Sequence, residues 1–256
     1  MSELRKIGSY RHDTNFFMGV IRNSHAVARA DNPHADEDDK VFQENRAKYI
    51  NQITATMNEG QAPCCAVCST PMKAGYHIHH KDGDHRNNDL VNFELLDPFC
   101  HLCYHLGYIG SNELGTIIYE PNLSQATINQ MQIITYAHQY IMKHTNKASQ
   151  AYQLLKRQSG ELHVVMEALE ASKAVVLRNF QTNDPLHFAN VFAHMSEDEY
   201  ANRANGTFSG LRILFDPNKF EKEIKLFAEN LFSMSNTSGQ YFPTQWDNHA
   251  KQLKQN

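Results

Sequence analysis

Two CxxC pairs, Cys65-Ala-Val-Cys68 and Cys100-His-Leu-Cys103, constrain this chain more than any other feature, because they ask two stretches separated by 31 residues to meet at one point. A CxxC turn lets two thiolates reach one ion from a tight knuckle. Two such turns supply the tetrahedral four-sulfur set that Zn2+ favours in closed structural sites. The expected ligands are Cys65, Cys68, Cys100 and Cys103, and the expected cofactor is one structural Zn2+. The long spacing exceeds that of an ordinary finger, so a small subdomain must sit between the knuckles. All five cysteines of the chain fall between Cys64 and Cys103, which argues against thiols scattered through a core. Nothing in the sequence points to an oxidising compartment where they would pair as disulfides. Cys64 is the odd one out and can replace Cys65 only by lengthening the knuckle to CxxxC.

The same region, residues 64–106, carries six of the fifteen histidines. His77-Ile-His79-His80 reads as a short strand, Asp82-Gly83-Asp84 as a turn, and Asn92-Phe-Glu-Leu-Leu96 as a return segment entering the second knuckle. The order CxxC, His-His, Asn, CxxC opening a helix resembles the ββα-metal, treble-clef-like module of HNH endonucleases. That resemblance implies that His79 helps hold a catalytic divalent ion, His80 takes a proton from the attacking water, and Asn92 orients the loop. Such enzymes place a histidine directly after the last cysteine, where this chain has Tyr104, and His105 stands one place later. One helical step turns a side chain by about 100°, so His105 is expected to aim elsewhere and to be displaced as a third ligand.

A second resemblance runs further along the chain. A DGDxxNNxLxN turn at residues 82–92, the second knuckle, a glycine-containing loop, Gly115-Thr-Ile-Ile-Tyr119 before Pro121, and a helix start at Leu123-Ser-Gln-Ala126 resemble the DotN (IcmJ) family of the Dot/Icm type IVB secretion apparatus and its conjugative relatives. The likeness resumes at Asp184-Pro-Leu-His-Phe188 and Gly210-Leu-Arg-Ile-Leu-Phe215 and spans roughly residues 40–232. It implies an HNH-like core without catalysis: an adaptor of the coupling complex that binds the ATPase coupling protein (DotL-like) and other subunits and helps recruit or deliver substrates. It also implies a cytoplasmic protein tied to the inner membrane through that complex. Retention of His79 and His80 departs from the degenerate pattern and keeps an HNH-type DNA endonuclease as the alternative, the only enzyme class in view.

Net charge is -4 with a pI near 6.4, so there is no overall basic surface to draw in phosphates. A nucleic-acid partner is thereby left to a local basic patch and is not favoured. No apolar run is long enough to cross a bilayer, and the first residues lead into no signal core.

Taken in order, residues 1–36 read as an N-terminal arm, with Gly8 to Val20 as a strand or arm and Asn32-Pro33 in a loop. Residues 37–122 read as the zinc module with a leading helix from about Asp38 to Asn58, whose Val41, Tyr49, Ile53 and Met57 share a face and whose acidic start suits the helix dipole. Gly107 to Gly115 reads as a loop and Thr116-Ile-Ile-Tyr119 as a short strand. Residues 123–234 read as helical. Ser124 caps a helix to about His144, with Ile128, Met131, Ile134 and Ile141 inward and His138 and His144 at the surface or capping. A break at Gly160 is expected between helices at 148–158 and 161–179. Asp184-Pro185, Ser196 with Glu199, and Asp216-Pro217 are helix-start signals. Phe220, Ile224, Phe227 and Leu231 form one stripe, most simply core, otherwise a ridge for a partner helix. Residues 235–256 read as a turn-rich tail holding the only tryptophan, Trp246. The expected fold is α+β, a zinc module packed among helices with a mainly helical C-terminal half.

If the cysteines hold structural zinc, Cys68→Ser should lose the metal and destabilise or unfold the protein, since metal binding and folding are coupled in such modules. Metal content and thermal unfolding of the variant check this; a stable, zinc-loaded variant would contradict it.

Overall fold

The computed structural model describes residues 16–21, 33, 39–55, 57 and 62–238, with side chains omitted at 161 and 232–238. The Asp36 to Asp38 charge run, most of the N-terminal arm and the Trp246 tail lie outside the described residues. The architecture is α+β and mainly helical, with two small antiparallel two-stranded sheets. Among the described residues no helix is long and apolar enough to cross a membrane.

Helix α1 (Lys40–Thr54) begins where the Asp39 carboxylate accepts the N–H groups of Val41 and Phe42, leaving donors at the helix start satisfied. Its inward face is the expected one at Tyr49 and Ile53, which pack on a small apolar cluster, but differs at its start. Phe42 is buried while Val41 points to solvent, and Phe42 packs edge-on against Phe93. Strands β1 (His77–His80) and β2 (Phe93–Leu96) pair with His77 opposite Leu96 and His80 opposite Phe93. The turn between them needs Gly83 in the left-handed region, φ +71. Ile78, Phe93 and Leu95 face α1, forming a small cluster with Phe42. The opposite face of this hairpin carries His77 and His79.

Helix α2 (Pro98–Leu102) is short and entirely buried. Asp97 caps it, accepting from the N–H groups of Phe99 and Cys100, and Pro98 occupies the first turn, where a missing N–H costs nothing. The following segment is not the expected loop. Residues Leu106–Ser111 form helix α3, in which Gly110 serves close packing instead of turning the chain. A Cβ on Gly110 would stand 2.3 Å from the backbone nitrogen of Leu186 in helix α7 (Pro185–Ala193).

Strand β3 (Gly115–Tyr119) pairs antiparallel with β4 (Leu211–Phe215), a contact across the whole helical half. Between them run α4 (Gln125–His144), α5 (Gln150–Ala171), α6 (Lys173–Phe180), α7 and the short α8 (Glu197–Ala201). Ser124, Asp184 and Ser196 cap their helices as their sequences indicate, and Ser196 with Glu199 forms a complete capping box. Gly160 does not break the chain, because α5 runs through it, and a Cβ there would meet open space. Asp216 caps a single 3-10 turn, Pro217–Lys219, before α9 (Glu221–Ser238), which continues through part of the stretch expected as turns. Phe220, Ile224, Phe227 and Leu231 are all buried, so this stripe is core.

The main core is continuous from the cysteines to α9. Phe99 of α2 stacks on Phe215 at 4.4 Å and meets Phe220, Phe227 and Tyr136 edge-on. Each such aromatic pair adds about 0.5–1.5 kcal/mol beyond burial, so Phe99 ties α2 firmly to β4 and α9. Phe16 to Ile21 is an extended segment laid over the other side, with Gly19 N–H donating to Cys103 C=O and Leu106 N–H donating to Gly19 C=O. Tyr200 and Arg203 clasp it through Val20 and Met18.

Helix α4 buries an unusual set of polar residues. His138, expected at the surface, is fully buried, whereas His144 is exposed and bonds the Tyr140 carbonyl. Burial lowers the His138 pKa to about 4, against the opposing pull of Gln158 and the Leu155 backbone.

Two tests follow from this packing. Gly110→Ala should destabilise the protein by about 1–3 kcal/mol through overpacking against α7, and Gly160→Ala should stabilise it by about 0.5–1 kcal/mol as a mid-helix exchange, both measured by denaturant unfolding. Below pH 6.5 the unfolded chain protonates His138 while the native state resists down to about pH 4. Stability is therefore full above pH 6.5 and falls by up to about 1.4 kcal/mol per unit across that window. His138→Gln should flatten this slope, and equal slopes in the two proteins would contradict it.

Candidate functional site

The end of β2, the cap of α2 and the first knuckle converge on one buried point. Cys65, Cys68, Asp97 and Cys100 each place a ligand atom within 4.8 Å of the others, and this group can hold a metal ion. The first knuckle is fixed by backbone bonds: Ala66 N–H donates to the Leu95 carbonyl and Cys65 N–H to that of Thr70. Cys68 Sγ lies 3.0 Å from both Thr70 Oγ1 and Asp97 Oδ2. Cys103 is equally buried but lies outside this tightest group. It stands beside Cys100, and the Asn129 side-chain amide donates to both sulfurs, at 3.3 Å to Cys100 and 3.5 Å to Cys103. Cys64 is half-buried and faces the Ala62 carbonyl.

Charge in this cluster is strongly linked. Burial opposes ionisation of Cys65, but hydrogen bonds from Cys100, Cys68 and Asp97 outweigh it and hold this thiol well below the usual range. Burial pushes Cys68, Cys100 and Cys103 up. Asp97 rises to about 8, through burial first and the charge on Cys65 second. Acidic groups this close cannot all ionise on their own, and a divalent cation is the counter-charge that lets them do so together. Three soft thiols at one point suit a thiophilic ion such as Zn2+ better than an oxygen-seeking one.

A second convergence lies on the other face of α2. Nitrogens of His79, His101 and His105 are within 4.8 Å of one another, and all three residues are buried. His101 Nε2 is 3.3 Å from His105 Nε2, and its Nδ1 is 2.8 Å from His77 Nδ1. Tyr104 stacks flat on the His79 ring at 4.0 Å. Burial, and then the neighbouring His105, His80 and His85, lower the His79 pKa to about 3, which keeps it in the neutral form that binds metals. The expected displacement of His105 does not occur. The 100° step presumes a continuing helix, but α2 ends at Leu102, and the turn through Cys103 and Tyr104 returns His105 to the side of His79.

His80 points to the opposite face of β1, donating Nε2–H to Asn88 Oδ1 at 3.1 Å, stacking on His85 and lying edge-on to Phe93. That bond puts the basic lone pair on Nδ1. Asn92 is away from both clusters and holds the hairpin turn, accepting from Asp82 N–H and donating to Asp82 Oδ1 and the Asn87 carbonyl.

Sequence reasoning overlooked His101, Asp97 and Asn129. His101 is hidden inside the second CxxC, but its four-residue spacing to His105 was a usable signal. Asp97-Pro98 repeats the cap-plus-proline pattern recognised at Asp184 and Asp216. Asn129 carries no comparable local mark.

No family model matches the chain. Over 166 residues it is 25% identical to the Type 4 apparatus protein DotN of Legionella pneumophila, an overlap of 64% of this chain and 72% of that protein. The likeness is that of a distant relationship.

Proposed function

We propose that this chain is a DotN-like, zinc-stabilised subunit of a type IV secretion or conjugation apparatus, an adaptor in its coupling complex. The observation that carries this reading is the sequence similarity to a type 4 apparatus protein along 64% of the chain. In it, Cys65, Cys68, Cys100 and Cys103 hold one structural Zn2+, and the HNH-like module serves as scaffold. The ion supplies the counter-charge that lets the buried thiols ionise together. The protein's own residues do the rest: Phe99 and the Asp97 cap join the metal-bearing helix to the core, leaving the outer helical surfaces to bind an ATPase coupling protein and assist substrate delivery. The protein works at the cytoplasmic side of the inner membrane through those partners.

The convergence of His79, His101 and His105 favours a second reading: a metal-dependent HNH-type endonuclease. Three neutral imidazoles fit a divalent transition metal, which would polarise a phosphodiester and offset its developing charge. His80 Nδ1 would take the proton from water, with Asn88 fixing the tautomer and Asn92 the turn.

Each reading has its own test. The purified protein should capture the cytoplasmic portion of a coupling ATPase from the same secretion system, and consistent failure to bind it would contradict the adaptor. Plasmid and single-stranded DNA should remain intact with Mg2+, Mn2+ or Ni2+ if the adaptor is noncatalytic. Cleavage that is lost in His80→Ala would make the nuclease the primary function.

A further inference from the structure

Resting on the zinc reading, we propose that Asn129 is the positioning residue of the metal centre, giving one side-chain N–H to each of two thiolates, Cys100 and Cys103. The basis is a chain of hydrogen bonds whose direction can be read from the backbone. Ile213 N–H in β4 can only donate, and it meets Gln125 Oε1 at 2.7 Å. The other atom of that amide, Gln125 Nε2, is therefore the donor, and it lies 3.0 Å from the Ile213 carbonyl and 2.8 Å from Asn129 Oδ1. Asn129 Oδ1 thus accepts, and Asn129 Nδ2 turns to the cysteines with its two protons. Asn129 Nδ2 lies 3.3 Å from Cys100 Sγ and 3.5 Å from Cys103 Sγ. Both sulfurs stand as acceptors from one neutral amide, the role of thiolates bound to a common ion. Gln125 and Asn129 are fully buried, so no water competes for these bonds.

Asp97 fits a different part. Its Oδ1 is engaged by two backbone N–H groups at the start of α2. It is the cap that aims the second knuckle, while Oδ2 lies 3.0 Å from Cys68 Sγ. The relay also links the metal centre in the N-terminal half to β4 near the far end of the chain.

The test uses the full-length wild-type protein with 113Cd2+ exchanged for zinc and 15N label in its side-chain amides. Scalar coupling between 113Cd and each of the two Asn129 Hδ2 protons is expected, because it passes only through an N–H···S bond to a sulfur ligand. Coupling to one proton alone, or to neither in a folded cadmium-loaded protein, would overturn the proposal while leaving metal binding intact. A protein that takes up neither zinc nor cadmium would overturn the zinc reading and this inference with it. As a second measurement, Asn129→Ala should lower zinc affinity by about 10–100-fold, the usual effect of losing an outer-shell partner. Its Co2+ form should show a shifted sulfur-to-cobalt charge-transfer band, which a merely structural loss of packing would not produce. An unchanged band and affinity in the folded variant would overturn the assignment.

Discussion

A buried group of thiols cannot carry several negative charges without a counter-charge, and this chain concentrates its thiols at the point where its segments meet. The first knuckle is bonded to β2, the second opens α2, and the core on α2 reaches β4 and α9 through Phe99. An ion held there would add to the hydrogen bonds and apolar contacts that already join these segments. The residues around it are arranged to receive charge: Asn129 donates to two of the sulfurs, Thr70 lies at a third, and Asp97 spends one oxygen on capping the helix.

The hexapeptide Cys100 to His105 serves both clusters. Cys100 and Cys103 face Asn129 and the core, while His101 and His105 face His79 across the hairpin. The histidines of the second cluster are therefore placed by the same turn as the cysteines, since any loosening of the cysteines would move the histidines between and beside them. Tyr104, at the place where a histidine follows the last cysteine in HNH enzymes, instead stacks on His79 and fixes its ring. An intact histidine set and a distant likeness to a secretion-apparatus protein are compatible, because a metal-binding scaffold can be kept for rigidity whether or not it still cuts.

Much of this was legible in the sequence wherever the signal is local. The hairpin from His77 to Leu96 and the caps at Ser124, Asp184 and Ser196 each depend on a few consecutive residues, and each is where its pattern placed it. What could not be read depends on contacts distant in sequence. The pairing of Gly115–Tyr119 with Leu211–Phe215 has no local mark of its partner. Gly110 looked like a turn residue because its value lies in the approach of α7, not in backbone angles. The inner face of α4 was sought among its isoleucines, yet Gln125, Asn129, Gln132 and His138 are just as buried. Gln125 and Gln132 occupy the outer edge of β4, bonding Ile213 and Phe215 as a neighbouring strand would. A polar residue on a helix reads as solvent-facing until its buried partner is known.

The most direct test of the zinc-centred fold is zinc K-edge absorption spectroscopy on the purified protein, with metal content measured on the same sample. The expected result is one zinc per chain surrounded by four sulfurs at about 2.3 Å. A shell of three sulfurs and one oxygen would place Asp97 among the ligands, and protein that is folded without zinc would contradict the metal-centred fold altogether.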